Sequence, residues 1–189
     1  MTRIEGRKVT LRAFRDDEFE RVLKAAQAAP AGDGIHWGPR DPEPIRNKLD
    51  ASGSWHNGSI ELAVEAGGRL VGEVQARCVP RAMPPGVFEL GVEIYDDADR
   101  GKGLGAEAVL EITSLLFRDE DAIRVQVSTD VANVGMRRVS ERLGFEFEGV
   151  QRGFMPTTQG PRDYAMYGMT RLDFDDRTAR RPGSSERKR

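Results

Sequence analysis

The sequence predicts a single α/β (α+β) domain, because strands and amphipathic helices alternate along most of the chain. Residues 88–106 carry the clearest example: a strand passes through a glycine-rich turn into a helix with apolar residues at helical spacing. Residues 123–145 repeat the order of strand and helix. With 189 residues, 38% of them hydrophobic, the chain is long enough for one proper core. We expect this domain at residues 1–174 and a charged, disordered tail at 175–189.

Local patterns place the elements of the first half. Alternating apolar and polar residues indicate half-buried strands, and acids followed by apolar residues at helical spacing indicate a first helix that ends at Pro30. The pair Gly67-Gly68 favours a tight hairpin turn. The expected elements are a strand at 8–14, a helix from 15 to 29, a short helix at about 44–51, and strands at 60–66 and 70–79.

The second half follows the same criteria. After a proline-rich loop, the central strand begins at Phe88 and is expected to lead into a long helix. The remaining expected elements are that helix at 103–118, a strand at 123–128, a helix that ends near 143, and a final hairpin of strands at 146–154 and 164–172.

The turn between the central strand and its helix has the features of an anion site. The first N–H groups of a helix have no partner inside it, and the helix dipole places partial positive charge there. Gly101, Gly103 and Gly105 carry no side chain, so a phosphate can come close to those amides. Arg100 and Lys102 add formal positive charge. A ligand with a diphosphate group is therefore expected here.

Three diphosphate motifs, and a turn that only caps the helix, compete for this stretch. Gly101, Gly103 and Ala106 fit the dinucleotide fingerprint, with Asp130 as a ribose-binding acid, but six residues, five of them polar or charged, separate the first glycine from the strand. The P-loop motif fails because no Ser or Thr follows the Gly-Lys pair. Residues 100–105, RGKGLG, meet the third motif, R-x-x-G-x-G/A. They resemble the coenzyme A loop of the GNAT superfamily of N-acetyltransferases.

A second block supports this resemblance. Asn133 follows a strand, and the next helix ends in L-G-F, whose Phe145 lies twelve positions after the asparagine. This spacing is similar to that of the GNAT element that follows the coenzyme A loop. The strings TLRAF with DDE, and EGVQRGF with GPRDYAMYG, resemble the RimJ/RimL branch, with Arg152 and Asp163 as matching residues. Over about residues 8–172 the chain is identified as a member of the GNAT superfamily.

The resemblance implies the GNAT fold, a mixed and mostly antiparallel central sheet flanked by helices, with a splayed parallel strand pair and a C-terminal hairpin. The parallel pair would be the central strand and the strand at 123–128, joined by a helical crossover of a dozen or more residues. The pantetheine arm of acetyl-CoA would enter between these two strands. The residues expected to bind acetyl-CoA are Val92, Ile94, Tyr95, Arg100, Gly101, Lys102, Gly103, Leu104, Gly105, Ala106 and Asn133.

The implied reaction is acetyl transfer from acetyl-CoA to a primary amine of a protein N-terminus or a small molecule. Such an amine has a pKa near 10, so about one in a thousand is neutral at pH 7 and a base is needed. Glu93 is the favoured catalytic base, with Glu89 as the alternative. A regular strand places both on one face, whereas a bulge, usual in the family here, would separate them. No Cys or Ser has a base motif, so direct transfer in a ternary complex is expected.

The proton donor for the leaving thiolate departs from the family pattern. Many GNAT enzymes have a Tyr seven positions after the Asn, and RimJ/RimL members have a Ser three positions after it; here these residues are Ser140 and Met136. Ser140 can act only as a hydrogen-bond donor, because its hydroxyl has a very high pKa. Tyr164, Tyr167 or bulk water are the alternatives. The departure motivates a second hypothesis, a catalytically degenerate acyl-CoA-binding module, and a dinucleotide-binding enzyme is the third.

The expected acceptor pocket has two sets of candidate residues. In GNAT folds the region after the first helix covers this pocket, so Trp37 and Trp55 are candidates for its wall, with ordinary aromatic packing as the alternative. Loop acids would suit a cationic acceptor, although solvated acids explain them equally well. These acids are Asp41, Glu43, Asp96, Asp97 and Asp99.

Composition limits the remaining classes of function. A net charge of −2 argues against bulk nucleic-acid binding, and two histidines with one cysteine argue against a metal site. The lone Cys78 excludes an internal disulfide, suggests a reducing compartment, and is expected to be buried in its strand. No signal peptide or long apolar segment is present, so we expect a cytoplasmic protein without membrane contact. A homodimer is common in the RimJ/RimL branch.

Overall fold

The computed structural model describes residues 1–28, 40–79, 85–157 and 159–179. These residues form one eight-stranded sheet and five α-helices. The strands are β1 (Ile4–Glu5), β2 (Thr10–Arg12), β3 (Ser59–Ala66), β4 (Arg69–Cys78), β5 (Val87–Ile94), β6 (Arg124–Asp130), β7 (Glu146–Met155) and β8 (Arg162–Thr170). The helices are α1 (Phe19–Ala28), α2 (Pro42–Ala51), α3 (Leu104–Asp119), α4 (Val134–Leu143) and α5 (Arg171–Ala179), with 3₁₀ turns at Asp16–Glu18 and Asp97–Asp99.

The strand order across the sheet is β1-β2-β3-β4-β5-β6-β8-β7. Every neighbouring pair is antiparallel except β5 and β6, which run parallel and are joined by α3. This confirms the predicted fold class, including the parallel pair and the C-terminal hairpin of β7 and β8. The two-residue strand β1 was not predicted, because so short a segment carries no periodic pattern.

Alternation gives the central strands two unlike faces. On one face, α3 packs on apolar side chains of β4, β5 and β6, and the residues of this cluster are buried. On the other face, α1 and α2 cover only the part nearest Ala63, in a smaller apolar cluster. The buried residues of the α3 side include Val74, Ala76, Phe88, Leu90, Val109, Ile112, Leu116, Val125 and Val127. The second face also carries polar and acidic side chains, some of them beneath α1 and α2, and we call this set the acidic face: Glu61, Glu73, Gln75, Arg77, Glu89, Gly91, Glu93, Gln126 and Ser128.

Local turn chemistry agrees with the sequence at two sites. Gly67 and Gly68 both have positive φ, 58° and 77°, as the predicted tight hairpin between β3 and β4 requires. Helix α4 begins after Asn133, whose side-chain oxygen accepts a hydrogen bond from the Met136 N–H, and ends at Gly144 with φ of 87°. These two caps account for the spacing between the asparagine and the L-G-F block.

Two expectations are corrected. Cys78 is exposed at the end of β4, so the prediction that it is buried is wrong. The sequence predicted that the ordered domain ends at residue 174, whereas helix α5 continues to Ala179 and Phe174 is buried against the core. Residues 180–189 lie outside the described part of the chain. Within that part, no helix is long and apolar enough to cross a membrane.

Candidate active site

The parallel pair β5 and β6 separates partway along its length. The two strands pair only at Val87, Phe88 and Glu89 of β5, although β5 continues to Ile94. Tyr95 N–H donates to the Val71 carbonyl of β4 at 3.0 Å, and in an antiparallel ladder the direction of the backbone groups alternates. The backbone groups of Val92 and Ile94 therefore face the gap on the β6 side. Tyr95, also expected to bind acetyl-CoA, does not offer its N–H to the gap, since that N–H already donates to β4.

The glycine loop lies at this gap. Gly101 and Gly103 have positive φ, 74° and 84°, and Gly103 is the N-cap of α3. The first helical hydrogen bond runs from the Glu107 N–H to the Gly103 carbonyl at 3.1 Å. The three preceding amides belong to Leu104, Gly105 and Ala106 and have no partner inside the helix. A Cβ on Gly105 would meet the Ile94 side chain at 3.5 Å, so these amides sit directly beside the open edge of β5.

Three cations surround the loop, and one was missed by sequence reasoning. Lys8 Nζ donates to the Lys102 carbonyl at 3.0 Å and would lie 3.4 Å from a Cβ on Gly103. Glu107 holds Lys8 there by accepting from its backbone N–H. Arg100 Nε donates to the Ile94 carbonyl at 3.1 Å, which ties the loop to the strand edge. No local motif could have indicated Lys8, because it lies 94 residues from Lys102 in sequence.

An ion pair fixes the base of the loop. Arg69, in the β3–β4 hairpin, donates to both carboxylate oxygens of Asp99 at 2.8 and 2.6 Å. Asp99 is 3% exposed, and Lys102 Nζ reaches it at 3.3 Å. The hydrogen bond from Arg69 is the main reason that the pKa of Asp99 is lowered to about 2. The loop is thus held to a rigid hairpin by a carboxylate that stays ionised.

The two candidate bases share one face but have different surroundings. Pairing of β5 with β4 runs from Phe88 to Ile94 without a register shift, so the expected bulge is absent from this pairing. Glu89 accepts hydrogen bonds from Arg77 at 2.8 Å, Gln126 at 3.0 Å and Ser128 at 2.9 Å. These contacts join β4, β5 and β6, and they give Glu89 a structural position.

Glu93 lies at the open end of the same face. It is directly opposite Glu73 in the pairing of β5 with β4. Glu73 is already held by Lys48 of α2, at 2.6 Å to each oxygen, and by the Tyr95 hydroxyl at 2.7 Å. Burial and the Glu73 charge raise the pKa of Tyr95, so this hydroxyl remains a donor. Glu93 lines a narrow cleft under α1 and α2, together with Glu73, Lys48 and Tyr95.

Glu61 is an acid of this face that sequence reasoning missed. It pairs with Gln75 of β4, which in turn pairs with Gly91 of β5. Burial raises the pKa of Glu61 to about 7; the charge of Glu73 adds to the shift, and Lys48 and Arg77 oppose it. The alternation of β3 together with the hairpin register would have placed Glu61 on this face, but only the packing shows its burial.

The two candidate residues of the second block differ in exposure, since Asn133 is exposed and Ser140 is buried. The side-chain oxygen of Asn133 caps α4, accepting from Met136 N–H at 3.0 Å, which leaves its amide NH₂ as a donor. Ser140 is fully buried and donates to the Met136 carbonyl at 3.1 Å, so its hydroxyl faces its own helix. This placement gives no support to Ser140 as the proton donor.

The two candidate tyrosines lie on opposite faces of β8. Tyr167 is fully buried on the α3 side, where Arg137 donates to its hydroxyl at 3.3 Å and the hydroxyl donates to Glu141 at 3.0 Å. Tyr164 pairs with Asp130, at the end of β6 where the gap is open, and burial raises its pKa. Tyr164 is therefore the better-placed donor of the two.

Several loop and aromatic candidates lie away from this face. Trp55 packs on Phe88 with ring centroids 5.5 Å apart and donates to Glu120 at 2.7 Å, which places it on the α3 side. Trp37 lies outside the described residues. Asp96 pairs with Arg21, Asp97 with Arg100, and Asp99 with Arg69, whereas Asp41 and Glu43 are exposed beside or in the first turn of α2. The carboxylates that line the site are therefore strand residues, not the expected loop acids.

Metal chemistry has no obvious centre in the residues that the structure describes. No group of three or more His, Cys, Asp or Glu side chains is arranged there so that it could hold a metal ion. The arrangement that does exist is a row of helix amides with three cations at one end of a strand gap, and carboxylates on the adjoining face.

Comparison with known proteins finds acetyltransferases. Residues 8–146 match the family model described as acetyltransferase (GNAT) domain. An aminoglycoside N(6')-acetyltransferase type 1 of Klebsiella pneumoniae is 31% identical over 91 residues, which are 48% of this chain and 42% of that protein. The SPbeta prophage-derived uncharacterized N-acetyltransferase YokL of Bacillus subtilis is 26% identical over 186 residues, covering 90% and 94% of the two chains.

Solved structures agree at the level of the fold. RimL, a ribosomal L7/L12 alpha-N-protein acetyltransferase in complex with coenzyme A, has a TM-score of 0.75 at 16% identity, covering 89% of this chain and 98% of that chain. The stretch matched in the aminoglycoside enzyme spans less than half of that enzyme's length.

Proposed function

The chain belongs to the acetyltransferase (GNAT) family, and we propose that it transfers an acetyl group from acetyl-CoA directly to a primary amine of a small, multiply charged cation. The observation that carries this proposal is the open edge of β5, with the helix amides of α3 at one end and the acidic face beside it. The RimJ/RimL resemblance is supported by the fold that this chain shares with RimL.

The residues at the gap fit the parts of coenzyme A. The amides of Leu104, Gly105 and Ala106 would hold the diphosphate, since they have no partner inside the helix. Residues 101 and 103 have positive φ, where a side chain would strain the backbone, so glycines keep the approach to these amides free of side chains. Lys8 and Lys102 would add charge. Val92 and Ile94 present backbone groups to the gap, where they would pair with the amides of the pantetheine arm as an added strand.

The acceptor class is inferred from charge and spacing. Glu61 and Glu93 lie on the same face, two strands and two residues apart, which corresponds to roughly 12 Å between their Cα atoms. Two carboxylates at this separation would bind two ammonium groups of one molecule. The aminoglycoside N-acetyltransferase relative supports a small acceptor with several amines. A protein N-terminus offers one ammonium group, and it is the alternative that RimL suggests.

In the proposed transfer, groups of this chain and water molecules take up and donate the protons. Glu93 would take a proton from the acceptor ammonium, directly or through water, because a neutral amine is the nucleophile. The N–H groups of Val92 or Ile94 would stabilise negative charge on the carbonyl oxygen as the new C–N bond forms. As the C–S bond breaks, the nitrogen would release its remaining extra proton to water, and Tyr164 or water would protonate the sulfur. Acetyl-CoA supplies the activated thioester, and no acyl-enzyme is formed.

The test is a thiol-release assay with acetyl-CoA and matched acceptors. 1,8-diaminooctane should be acetylated with kcat/KM at least about tenfold above that of octylamine, which has the same chain and one amine. Aminoglycosides and a peptide with a free N-terminus complete the panel. Turnover of no amine would overturn the transferase assignment and favour the degenerate acyl-CoA-binding module. Equal rates for diamine and monoamine, or turnover of the peptide alone, would overturn only the acceptor class.

The cytoplasmic location and the homodimer that is common in the RimJ/RimL branch stay predictions.

A further inference from the structure

A second pocket lies far along α3 from the glycine loop. Its volume is about 200 Å³, and it is bounded by the C-terminal part of α3, the end of α4 with Phe145 after it, the end of β8, and helix α5. Thr113 in its wall is nine residues from the first residue of α3, so it lies about 14 Å along the helix axis from the loop. This pocket has no part in the proposed acetyl transfer.

The pocket combines an apolar interior with an unused donor. Its apolar lining is formed by Leu110, Leu143, Phe145, Met169 and Phe174. Thr113, a residue only 2% exposed, also lines it, and its hydroxyl has no hydrogen-bond partner among the residues that the structure describes. Buried hydroxyl groups are nearly always paired, so an unpaired one in a pocket wall points to a ligand or water that supplies the missing oxygen.

The rim of the pocket is positively charged. Arg118 is exposed, with its guanidinium carbon 6.0 Å from the centroid of the Phe174 ring. Arg177 donates to the Arg142 carbonyl and lies against Gly144. Within the described ranges, neither arginine has a carboxylate partner. The acid in the lining, Glu111, is directed toward the N-terminal segment, where its Cγ lies beside Gly6.

We infer that this pocket binds a small amphipathic carboxylate, with its apolar body on the five apolar side chains and its carboxylate at Arg118 and Arg177. A cavity of about 150 Å³ lined by apolar side chains is large enough for benzene, so this pocket suits a short alkyl chain or one ring. An arginine fork is the usual partner for a carboxylate. Residues 180–189, RRPGSSERKR, contain no large apolar side chain, so this segment does not supply such a group itself.

The test uses octanoate as the probe on the full chain, with coenzyme A present at saturation. Octanoate at ten times its Kd should raise the Tm by about 3 to 6 °C, and calorimetry should give one saturable site. Octylamine, with the same chain and opposite charge, would bind at the acidic face as an acceptor but should not displace octanoate. Loss of octanoate binding on adding coenzyme A would mean that octanoate occupies the thioester site, and this would overturn the proposal.

Two variants identify the pocket. Arg118→Gln, at an exposed position, should weaken octanoate binding about tenfold and leave acetyl transfer unchanged. Thr113→Val should raise the Tm of the ligand-free protein, since it removes an unpaired buried hydroxyl, and should weaken octanoate binding. Affinities equal to wild type in both variants, or displacement of octanoate by octylamine, would overturn the assignment.

Discussion

The two halves of strand β5 have the same alternation but different neighbours. In its first half, Val87 to Glu89 pair with β6, and Glu89 is held by hydrogen bonds from Arg77, Gln126 and Ser128. In its second half the β6 side is open, and Glu93 lies beside backbone groups that no described strand uses. The same residue type is therefore a cross-link in one half and a candidate base in the other.

The difference shows that the candidate active site forms where the hydrogen-bond ladder between two strands is interrupted. A paired strand has its backbone hydrogen bonds satisfied and offers a ligand only side chains. An unpaired edge offers donors and acceptors in a fixed row, and here the N-terminus of α3 adds three more donors beside Ile94. We expect substitutions in the open half to change binding and rate, and substitutions in the paired half to change stability.

The largest expected effect concerns the open end itself. Gly103→Glu should abolish measurable acetyl-CoA binding, a loss of more than about a hundredfold, because it places a carboxylate and a side chain where φ is 84° beside the helix amides. Gly149→Glu on the edge strand β7 is the matched control: φ is 139° there, a Cβ would meet nothing within 4 Å, and strands β6 and β8 lie between β7 and β5. Calorimetry with acetyl-CoA measures both. An unchanged Kd in Gly103→Glu would refute the diphosphate assignment.

The second prediction compares the two glutamates of β5. Glu93→Gln should lower kcat about a hundredfold with little change in the free energy of unfolding, because a general base is lost. Glu89→Gln should lower the free energy of unfolding by about 1.5 to 3 kcal/mol, the usual worth of hydrogen bonds to a charged group, and keep kcat within a few-fold. Steady-state kinetics and urea unfolding of both variants separate the roles. The reverse pattern would exchange the two assignments.

The third prediction uses the pKa of Glu61, which burial raises from 4.5 to about 7. The folded protein holds this proton more tightly than the unfolded chain, so stability falls as pH rises from about 4.5 to 7. Glu61→Gln should remove this loss and be more stable than wild type at pH 8, by up to about 3 kcal/mol, with no such gain at pH 4.5.

The control for this prediction is Glu65, which lies four residues after Glu61 on the same face of β3. Burial alone would raise the pKa of Glu65, but hydrogen bonds from Arg12 and the charges of Arg12 and Arg15 lower it overall. Glu65→Gln should therefore destabilise the protein at pH 8, opposite in sign to Glu61→Gln. Urea unfolding at pH 4.5 and pH 8 measures both differences. A Glu61→Gln variant less stable than wild type at pH 8 would contradict the burial effect.

The smallest expected effect concerns the leaving group. Ser140→Ala should change kcat by less than about twofold, because the Ser140 hydroxyl donates to the Met136 carbonyl of its own helix. Tyr164→Phe should lower kcat about tenfold if this tyrosine protonates the thiolate at the open end of β6. A large loss in Ser140→Ala with normal coenzyme A affinity would restore Ser140 as the donor.

Sequence alone determined the features that depend on local physics. Positive φ favours glycine, so Gly67-Gly68 and the Gly101–Gly105 loop were identified as turns before their neighbours were known. Helix α4 has both of its caps within the block that carried the family resemblance. Period-two alternation placed Glu89 and Glu93 on one face, and the structure removes the bulge that would have separated them.

Only the tertiary structure decided which charges meet and how deeply they are buried. Lys8 contacts the glycine loop although it lies 94 residues from Lys102 in sequence, and Arg69 contacts Asp99 of the same loop from the β3–β4 hairpin. Glu61 has a raised pKa because it is buried on strand β3. It also showed that Trp55 lies on the α3 side of the sheet, away from the expected acceptor pocket, and that Cys78 is exposed where burial was expected. The reason is that backbone geometry and periodicity are set by adjacent residues, whereas desolvation and ion pairing depend on distances between segments that are remote in sequence.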